Sequence, residues 1–572
     1  MISNHKLNKT SVLLVIILFI IRCGIAPVFS LISDCDETYN YLDPLNFLLR
    51  GFGKETWEYS PVYSIRSWAF LLPFYSILKP LSAIGLLPSD LLFFSLRFVL
   101  GAFSALSEIY LFKQLLTTFN LTQANWWLFL QIFNPGWFHA CVELLPSSFA
   151  MILLLLSTGH FLKYLSTKST VSFINSLIFV FIAGILGWPF VLLIAVPLVL
   201  QYVVSKHKCF FTNVFKTGVK SLIGLFLIIF IVLTIDSIIY GKITPVFYNI
   251  VSYNVLQANE ETGPNIFGVE PWYYYVLNLV LNFPILTLLG VVGFSLLVPF
   301  DHNLIQILPI FSQLFIWIGV FISQPHKEER FLYPIYGLIT FTASLFYTKI
   351  FQNNATTMQS NNRLQLTIKS FVKLFSITAI IIQSLLRIYA LINNYTAPIG
   401  VYFHLFDIQD ILTEYKTNNT DNSLINVCVG REWYHFPTSL LLPDNFRIRY
   451  VPSGFDGLLP GDFNEKVDKL TSIRSIPPGM NNANRFDAGK IFDHKDCDLY
   501  VDISSTIGEK DIFNPQNMNA IYCEKFIDIE NSKLLGRAFT LPTPITDLPT
   551  VAKNLNKIYH VEYKDYCVYS LL

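Results

Sequence analysis

Four carboxylates, Asp34, Asp36, Glu37 and Asp43, fall within the twelve-residue stretch SDCDETYNYLDP, which directly follows an apolar run. A carboxylate at the edge of lipid is partly desolvated, so Asp36 or Glu37 can serve as general base toward a hydroxyl nucleophile. A second stretch, SQPHKEERFLYPIY, sets His326, Lys327, Glu328, Glu329 and Arg330 between two apolar runs. Cationic donors at headgroup level suit a phosphate, held as a ligand or departing as a leaving group. The first polar stretch also carries Trp57, Glu58 and Arg66, and a third stretch, GPNIFGVEPWYYY, carries Trp272. Trp57, Tyr59, Trp272 and Tyr273 can stack on sugar rings; as single residues they equally suit an ordinary interfacial aromatic belt. A base beside a phosphate clamp at a lipid surface suggests glycosyl transfer from a lipid-phosphate sugar. HKEER also reads as a solvated loop with internal ion pairs. Asp34-Cys35-Asp36 has the D-x-D form that holds a divalent metal with a sugar nucleotide, but it is a short pattern and no second ligand cluster supports it. Arg22 lies inside the first apolar run, where charge is costly, and Glu108 in the next is its expected structural partner.

A membrane scaffold must position these residues. The 572-residue chain is 53% hydrophobic and 14% charged, with a formal net charge of +1. Its mean hydropathy is +0.49. This is the composition of a polytopic membrane protein with a polar part attached, and the balanced charge gives no sign of a nucleic-acid partner. About eleven spans are expected, near 11–31, 91–112, 125–142, 147–163, 171–187, 189–205, 219–239, 275–299, 304–323, 332–348 and 372–392. The stretch 67–88 is apolar but holds prolines and a lysine, so it reads as an interfacial or re-entrant piece. The loops 205–220 and 348–370 carry Lys and Arg without acid, whereas 32–66, 240–274, 324–331 and the tail carry the acids. Lys and Arg favour the cytosol, so one parity puts the N-terminus in the cytosol and all three charged stretches on the opposite face. Distant in sequence, they can form one site. A transporter would instead show inverted repeats and a midplane site, and no internal repeat is visible.

The division expected is a transmembrane catalytic module over 1–395 and a non-cytosolic domain over 396–572. The tail alternates apolar and polar residues in short runs such as DNFRIRYVP and YHVEYKDYCVY, as strands of one α/β domain would. It holds Cys428, Cys497, Cys523 and Cys567, which allow three disulfide pairings or can stay as buried thiols. Of the sequons at Asn8, Asn120, Asn354, Asn394 and Asn418, only Asn418 is well placed for a glycan, and Asn354 is expected to face the cytosol.

The first loop SDCDETYNYLDPLNFLLRGFGKETWEYSPVYSIRS, ILGWPF, GPNIFGVEPWYYY, QPHKEERFLYPIY and NVCVGREWYHFP together resemble glycosyltransferase family twenty-two, of GT-C type. Within it they resemble the endoplasmic-reticulum α-1,2-mannosyltransferases that extend dolichol-linked oligosaccharide. Sister enzymes of glycosylphosphatidylinositol anchor assembly share the His-Lys-Glu-Glu-Arg-Phe block but carry a His-Pro-Asp-Glu type motif where this chain has Asp-Cys-Asp-Glu. The resemblance implies an inverting transfer from dolichyl phosphate mannose in the lumen, with two non-consecutive additions to the lipid-linked acceptor, no cofactor and no bound metal. It maps the luminal carboxylate pair onto Asp36 and Glu37, with Asp36 the favoured base, and the cationic residues onto Arg66, His326, Lys327 and Arg330. Glu143, in HACVELLPSSF, stands where a small or apolar residue is expected.

Overall fold

The computed structural model describes residues 7–206, 210–298, 306–351, 363–419, 423–503, 512–542 and 557–571. Asn354 lies outside them. Among the described residues, eight helices are long and apolar enough to span a membrane: Lys9–Phe29, Ser89–Thr118, Pro146–Thr167, Thr170–Gly187, Pro189–Lys206, Asn213–Tyr240, Glu329–Phe351 and Leu364–Tyr395. They match eight of the eleven expected spans.

The other three differ for local reasons. The stretch 125–142 breaks at Phe133–Asn134, between the helices Leu121–Ile132 and Pro135–Ala140. There the Asn134 side chain accepts from the Trp137 N–H at 3.2 Å, and Pro135 opens the second helix. The stretch 275–299 is a pair, Tyr274–Asn282 and Ile285–Leu297, bent by 115°, and counting it as one span raises the number to nine. Pro284 at the bend denies the chain a helical hydrogen bond. The last of the three, Leu308–Ser323, has only 16 residues. The expected re-entrant stretch is the 16-residue helix Trp68–Ala83, with Pro73 and Pro80 inside it. Its start is tied down by Asp236, which accepts from Ser67 Oγ at 2.8 Å and from the Ala69 N–H at 3.0 Å.

Arg22 and Glu108 do meet. Arg22 Nε and Nη2 donate to the two Glu108 oxygens at 2.9 and 3.1 Å, Nη2 also donates to the Gln131 carbonyl at 2.9 Å, and both side chains are fully buried. The helices approach so closely that a Cβ on Gly101 would lie 1.9 Å from the Arg22 carbonyl oxygen, so only glycine fits there.

The tail forms a five-stranded sheet in the order β3-β2-β5-β7-β6, with β2 Ile425–Val429, β3 Phe446–Tyr450, β5 Leu499–Ile503, β6 Asn519–Ile527 and β7 Tyr563–Ser570. β2 runs parallel to β3 and β5, and β7 antiparallel to β5 and β6. Of the open disulfide pairings, the structure forms Cys428–Cys497 and Cys523–Cys567. The second joins directly opposed residues of β6 and β7.

The first loop belongs physically to this sheet region. Its strand β1, Lys54–Glu55, pairs antiparallel with β4, Gly461–Asp462. Asp43, the fourth acid of the first stretch, is a buried clasp. It accepts from Thr438 Oγ1, the Ser439 N–H, Ser439 Oγ and the Lys54 N–H, all at 2.8–2.9 Å. Arg50 adds bonds to the carbonyls of Leu442 and Ser439 at 2.7 and 2.5 Å. Asn394 is fully buried and accepts from Tyr563 Oη, whereas Asn418 is exposed.

Candidate active site

Where the first span ends, Asp34 caps a one-turn helix, Cys35–Glu37, by accepting from the Asp36 N–H at 2.8 Å. Successive helical residues point about 100° apart, so adjacent carboxylates face different surroundings. Asp36 faces the polar loops. Its Oδ2 accepts from Arg66 Nη2 at 2.7 Å and from Arg330 Nη1 at 2.5 Å, and its Oδ1 from Asn40 Nδ2 at 2.9 Å. Thus residues 30 and 294 positions away converge on one oxygen. Both arginines carry further partners. Arg66 forms a fork with Glu58, at 2.7 and 3.0 Å, and donates to Tyr41 Oη at 2.9 Å. Arg330 Nε lies 3.1 Å from Asp34 Oδ2 and also donates to Glu328.

Glu37 turns the other way and is fully buried. Its Oε1 accepts from the Leu144 N–H at 3.1 Å and lies 3.7 Å from Arg97 Nη2. Arg97 in turn donates to the carbonyls of Ser30 and Leu31, and so neutralises the C-terminal end of the first span. The neighbouring Glu143, unexpected in its segment, accepts from Ser33 Oγ at 2.7 Å. Arg97 does have a signal in the sequence, a charge within an apolar span, though it carries no motif. Asn40 and Tyr41 give no such signal.

The electrostatics separate the carboxylates. Burial pushes Asp36 up, but the Arg330 and Arg66 guanidiniums outweigh it and hold its carboxyl at about 2. Burial dominates at Glu37 and at Asp34 and raises each to about 8, against the opposing pull of Arg97 and Arg330 respectively.

The cationic block does not act as a unit. Lys327 is buried, and its ammonium donates to the carbonyls of Glu270, at 2.8 Å, and Gln324. It ties the 263–275 loop to the block and has no partner among the first-loop acids. His326 is likewise engaged, with Nδ1 donating to the Gly268 carbonyl at 2.7 Å and Nε2 3.0 Å from Glu328. Burial opposes its charge, but Glu328 and that carbonyl prevail and raise its pKa. Glu329 pairs with His139 at 2.9 Å. Only Arg330 of the block reaches the acids. Among the aromatics, Trp57 is 7% exposed and packs on Tyr63 and Tyr253, so its face is unavailable to a sugar. Trp272 is 63% exposed, with its ring centroid 6.1 Å from that of Tyr273. Asp34, Cys35 and Asp36 offer ligand atoms within 4.8 Å of one another, yet Arg330 sits on both carboxylates and supplies the positive charge a cation would.

Two spaces adjoin the cluster. A crevice lined by Tyr41, Phe70, Ile185, Leu186 and Phe247 runs beside Arg66. A cavity of about 240 Å³ lies beside Ser33, between the mouth of the first span and the sheet, with walls from Tyr402, His435, Phe436 and Phe526.

Residues 13–443 match the model of the Alg9-like mannosyltransferase family. The chain belongs to that family. Alpha-1,2-mannosyltransferase ALG9 of Saccharomyces cerevisiae is 49% identical over 570 residues, covering 98% of each chain. GPI alpha-1,2-mannosyltransferase 3 of Bos taurus is 24% identical and covers 56% of each. Among solved structures, ArnT from Cupriavidus metallidurans bound to undecaprenyl phosphate aligns with a TM-score of 0.47 at 8% identity, covering 78% of this chain and 86% of that one. This member of the Alg9-like family is a multi-pass membrane glycosyltransferase.

Proposed function

We propose that the chain transfers mannose from dolichyl phosphate mannose, in α-1,2 linkage, to the dolichyl-diphosphate-linked oligosaccharide in the lumen of the endoplasmic reticulum, in two non-consecutive additions. The observation that carries the mechanism is the convergence of Arg66 and Arg330 on Asp36 at 2.7 and 2.5 Å. Two planar guanidiniums can grip a phosphate by forked hydrogen bonds and stabilise the charge that grows on it as the sugar leaves. The crevice beside Arg66, only about 10 Å³ in volume, sets apolar side chains next to the guanidinium. Asp36 takes the proton of the acceptor hydroxyl as its oxygen bonds to the anomeric carbon. The bond to phosphate breaks on the opposite face, and dolichyl phosphate departs with the electron pair. Glu37 is buried away from this space and acts by holding the turn against Arg97 and Leu144. Arg66 and Arg330 provide the cationic charge without a metal. Lys327 and His326 act by shaping the block around Arg330, and Glu58 by orienting Arg66.

The full-length match to the yeast relative, against 56% coverage of the anchor-pathway enzyme, favours the oligosaccharide acceptor. Purified protein supplied with dolichyl phosphate mannose and defined lipid-linked acceptors should form one new α-1,2 bond per competent acceptor. Transfer to an anchor precursor instead would overturn the acceptor assignment. With the sheet region luminal, exposed Asn418 should gain a glycan that endoglycosidase removes, and buried Asn394 should not. Cleavage of the tail by protease added outside sealed microsomes would reverse the orientation.

A further inference from the structure

The arrangement around Asp36 is a poor one for a base. Oδ2 already accepts from two guanidiniums and Oδ1 from Asn40, so neither oxygen is poised for an acceptor hydroxyl. The strong pairing also depresses its basicity. Yet the point where Arg66 and Arg330 converge is the point at which two forked cations would hold a phosphate oxygen. The charges facing Asp36 are Asp34, Glu58 and Glu328 on the acidic side and Arg66 and Arg330 on the basic side, with His326 reached through Glu328. An incoming phosphodiester therefore meets cations already bonded to carboxylates, and it binds by exchange with one of them.

We propose that the donor's phosphate displaces Asp36 from Arg66 and Arg330, so that Asp36 becomes a competent base only once the donor is in place. The exchange rests on the clamp and base roles assigned above and adds an order of events to them. Before donor binding, an acceptor hydroxyl finds a carboxylate neutralised by guanidiniums. After it, the guanidiniums carry the phosphate, Asp36 keeps the bond from Asn40, and its Oδ2 is free to take the proton. Asp36 is the carboxylate that exchanges because, among the described residues, it alone bridges both arginines: Glu58 pairs with Arg66, and Asp34 and Glu328 pair with Arg330. Binding and basicity are then coupled through one pair of side chains.

The test is binding of dolichyl phosphate to the full-length protein in nanodiscs, for the wild type and for Asp36→Asn, Glu58→Gln, Glu328→Gln and Arg330→Gln. Exchange requires Asp36→Asn, though inactive in transfer, to bind this phosphate about tenfold tighter than wild type, since its competitor at both arginines is gone. Glu58→Gln and Glu328→Gln each free one arginine that Asp36 still holds, so they should tighten binding less. Equal tightening in all three would reflect loss of negative charge alone and would overturn the exchange while leaving the clamp intact. Unchanged or weaker binding by Asp36→Asn overturns it too. Unchanged binding by Arg330→Gln would remove the clamp and the exchange together. The wild-type protein gives a second measurement if a variant misfolds. In its complex with dolichyl phosphate, phosphate oxygens should lie about 3 Å from both guanidiniums with Asp36 Oδ2 released. Asp36 still bridging both arginines there would end the proposal.

Discussion

Two ion-pair clusters, one inside the membrane module and one at its surface, use the same residue types to opposite ends. Arg22 and Glu108 form a closed pair, fully buried, with a fork and a carbonyl taking up the charge. Arg66 and Arg330 share Asp36 while also carrying Glu58, Asp34 and Glu328, and the Arg330 and Asp36 side chains are each 13% exposed. The closed pair is shut off from any ligand by burial. The open cluster sets four carboxylates against two guanidiniums, so one partner can leave without stranding a cation. Access and surplus, more than charge content, separate a clasp from a site.

The sharpest break in that comparison is Asp36→Asn. Transfer should fall by at least the roughly 10²–10⁴-fold typical of losing a general base, while the melting temperature stays near that of the wild type. Near-normal turnover would deny Asp36 the role of base.

The mirror experiment is Glu108→Gln. It leaves Arg22 buried without its counter-charge, at a cost of about 3–5 kcal/mol, so yield and thermal stability should drop. Turnover per folded molecule should hold, and a kinetic defect of the Asp36→Asn kind would erase the distinction between the clusters.

Arg330→Lys should raise the apparent donor KM by roughly tenfold, because a point charge cannot grip the donor phosphate by the planar fork a guanidinium offers. Lys327→Ala should do the reverse, lowering stability through the carbonyls of Glu270 and Gln324 and leaving donor KM alone. If Lys327→Ala instead alters donor KM with stability unchanged, the whole block, not Arg330 alone, binds phosphate.

The smallest effect lies in pH. Glu37 is raised to about 8 in the fold, against an ordinary value of 4.5, so between those values the folded state binds more protons than the unfolded. Its contribution to stability is therefore present at low pH and fades as pH rises toward 8. Glu37→Gln should flatten the decline in melting temperature between pH 6 and about 8. An unchanged slope would show that Glu37 stays ionised beside Arg97.

Much of this was legible along the chain. A span needs only length and apolar character, so eight of the eleven segments were found where expected. Those that failed did so at Asn134 and Pro284, where one residue's backbone chemistry overrides apolar composition, and at a helix that is simply short. Arg22 and Glu108 were paired from sequence because lipid leaves a buried charge few choices. The aromatic residues misled, since Trp57 and Trp272 look alike in sequence and end up buried and exposed respectively.

Sequence by itself determined that this is a membrane enzyme with acids at the end of its first span and cations in a distant loop, because composition and motif survive any folding of the loops. Only the tertiary structure decided which carboxylate faces which cation. Asp36 and Glu37 are neighbours, and their separation into an arginine-gripped group and a buried one depends on Arg330, Arg97 and Leu144, each tens to hundreds of residues away. The same holds for Lys327, whose ammonium satisfies backbone carbonyls, and for Asp43, whose four hydrogen bonds come from Lys54, Thr438 and Ser439. Direction and burial are set by the partners a side chain meets, and partners so far off along the chain are fixed only when the loops and the sheet close on one another.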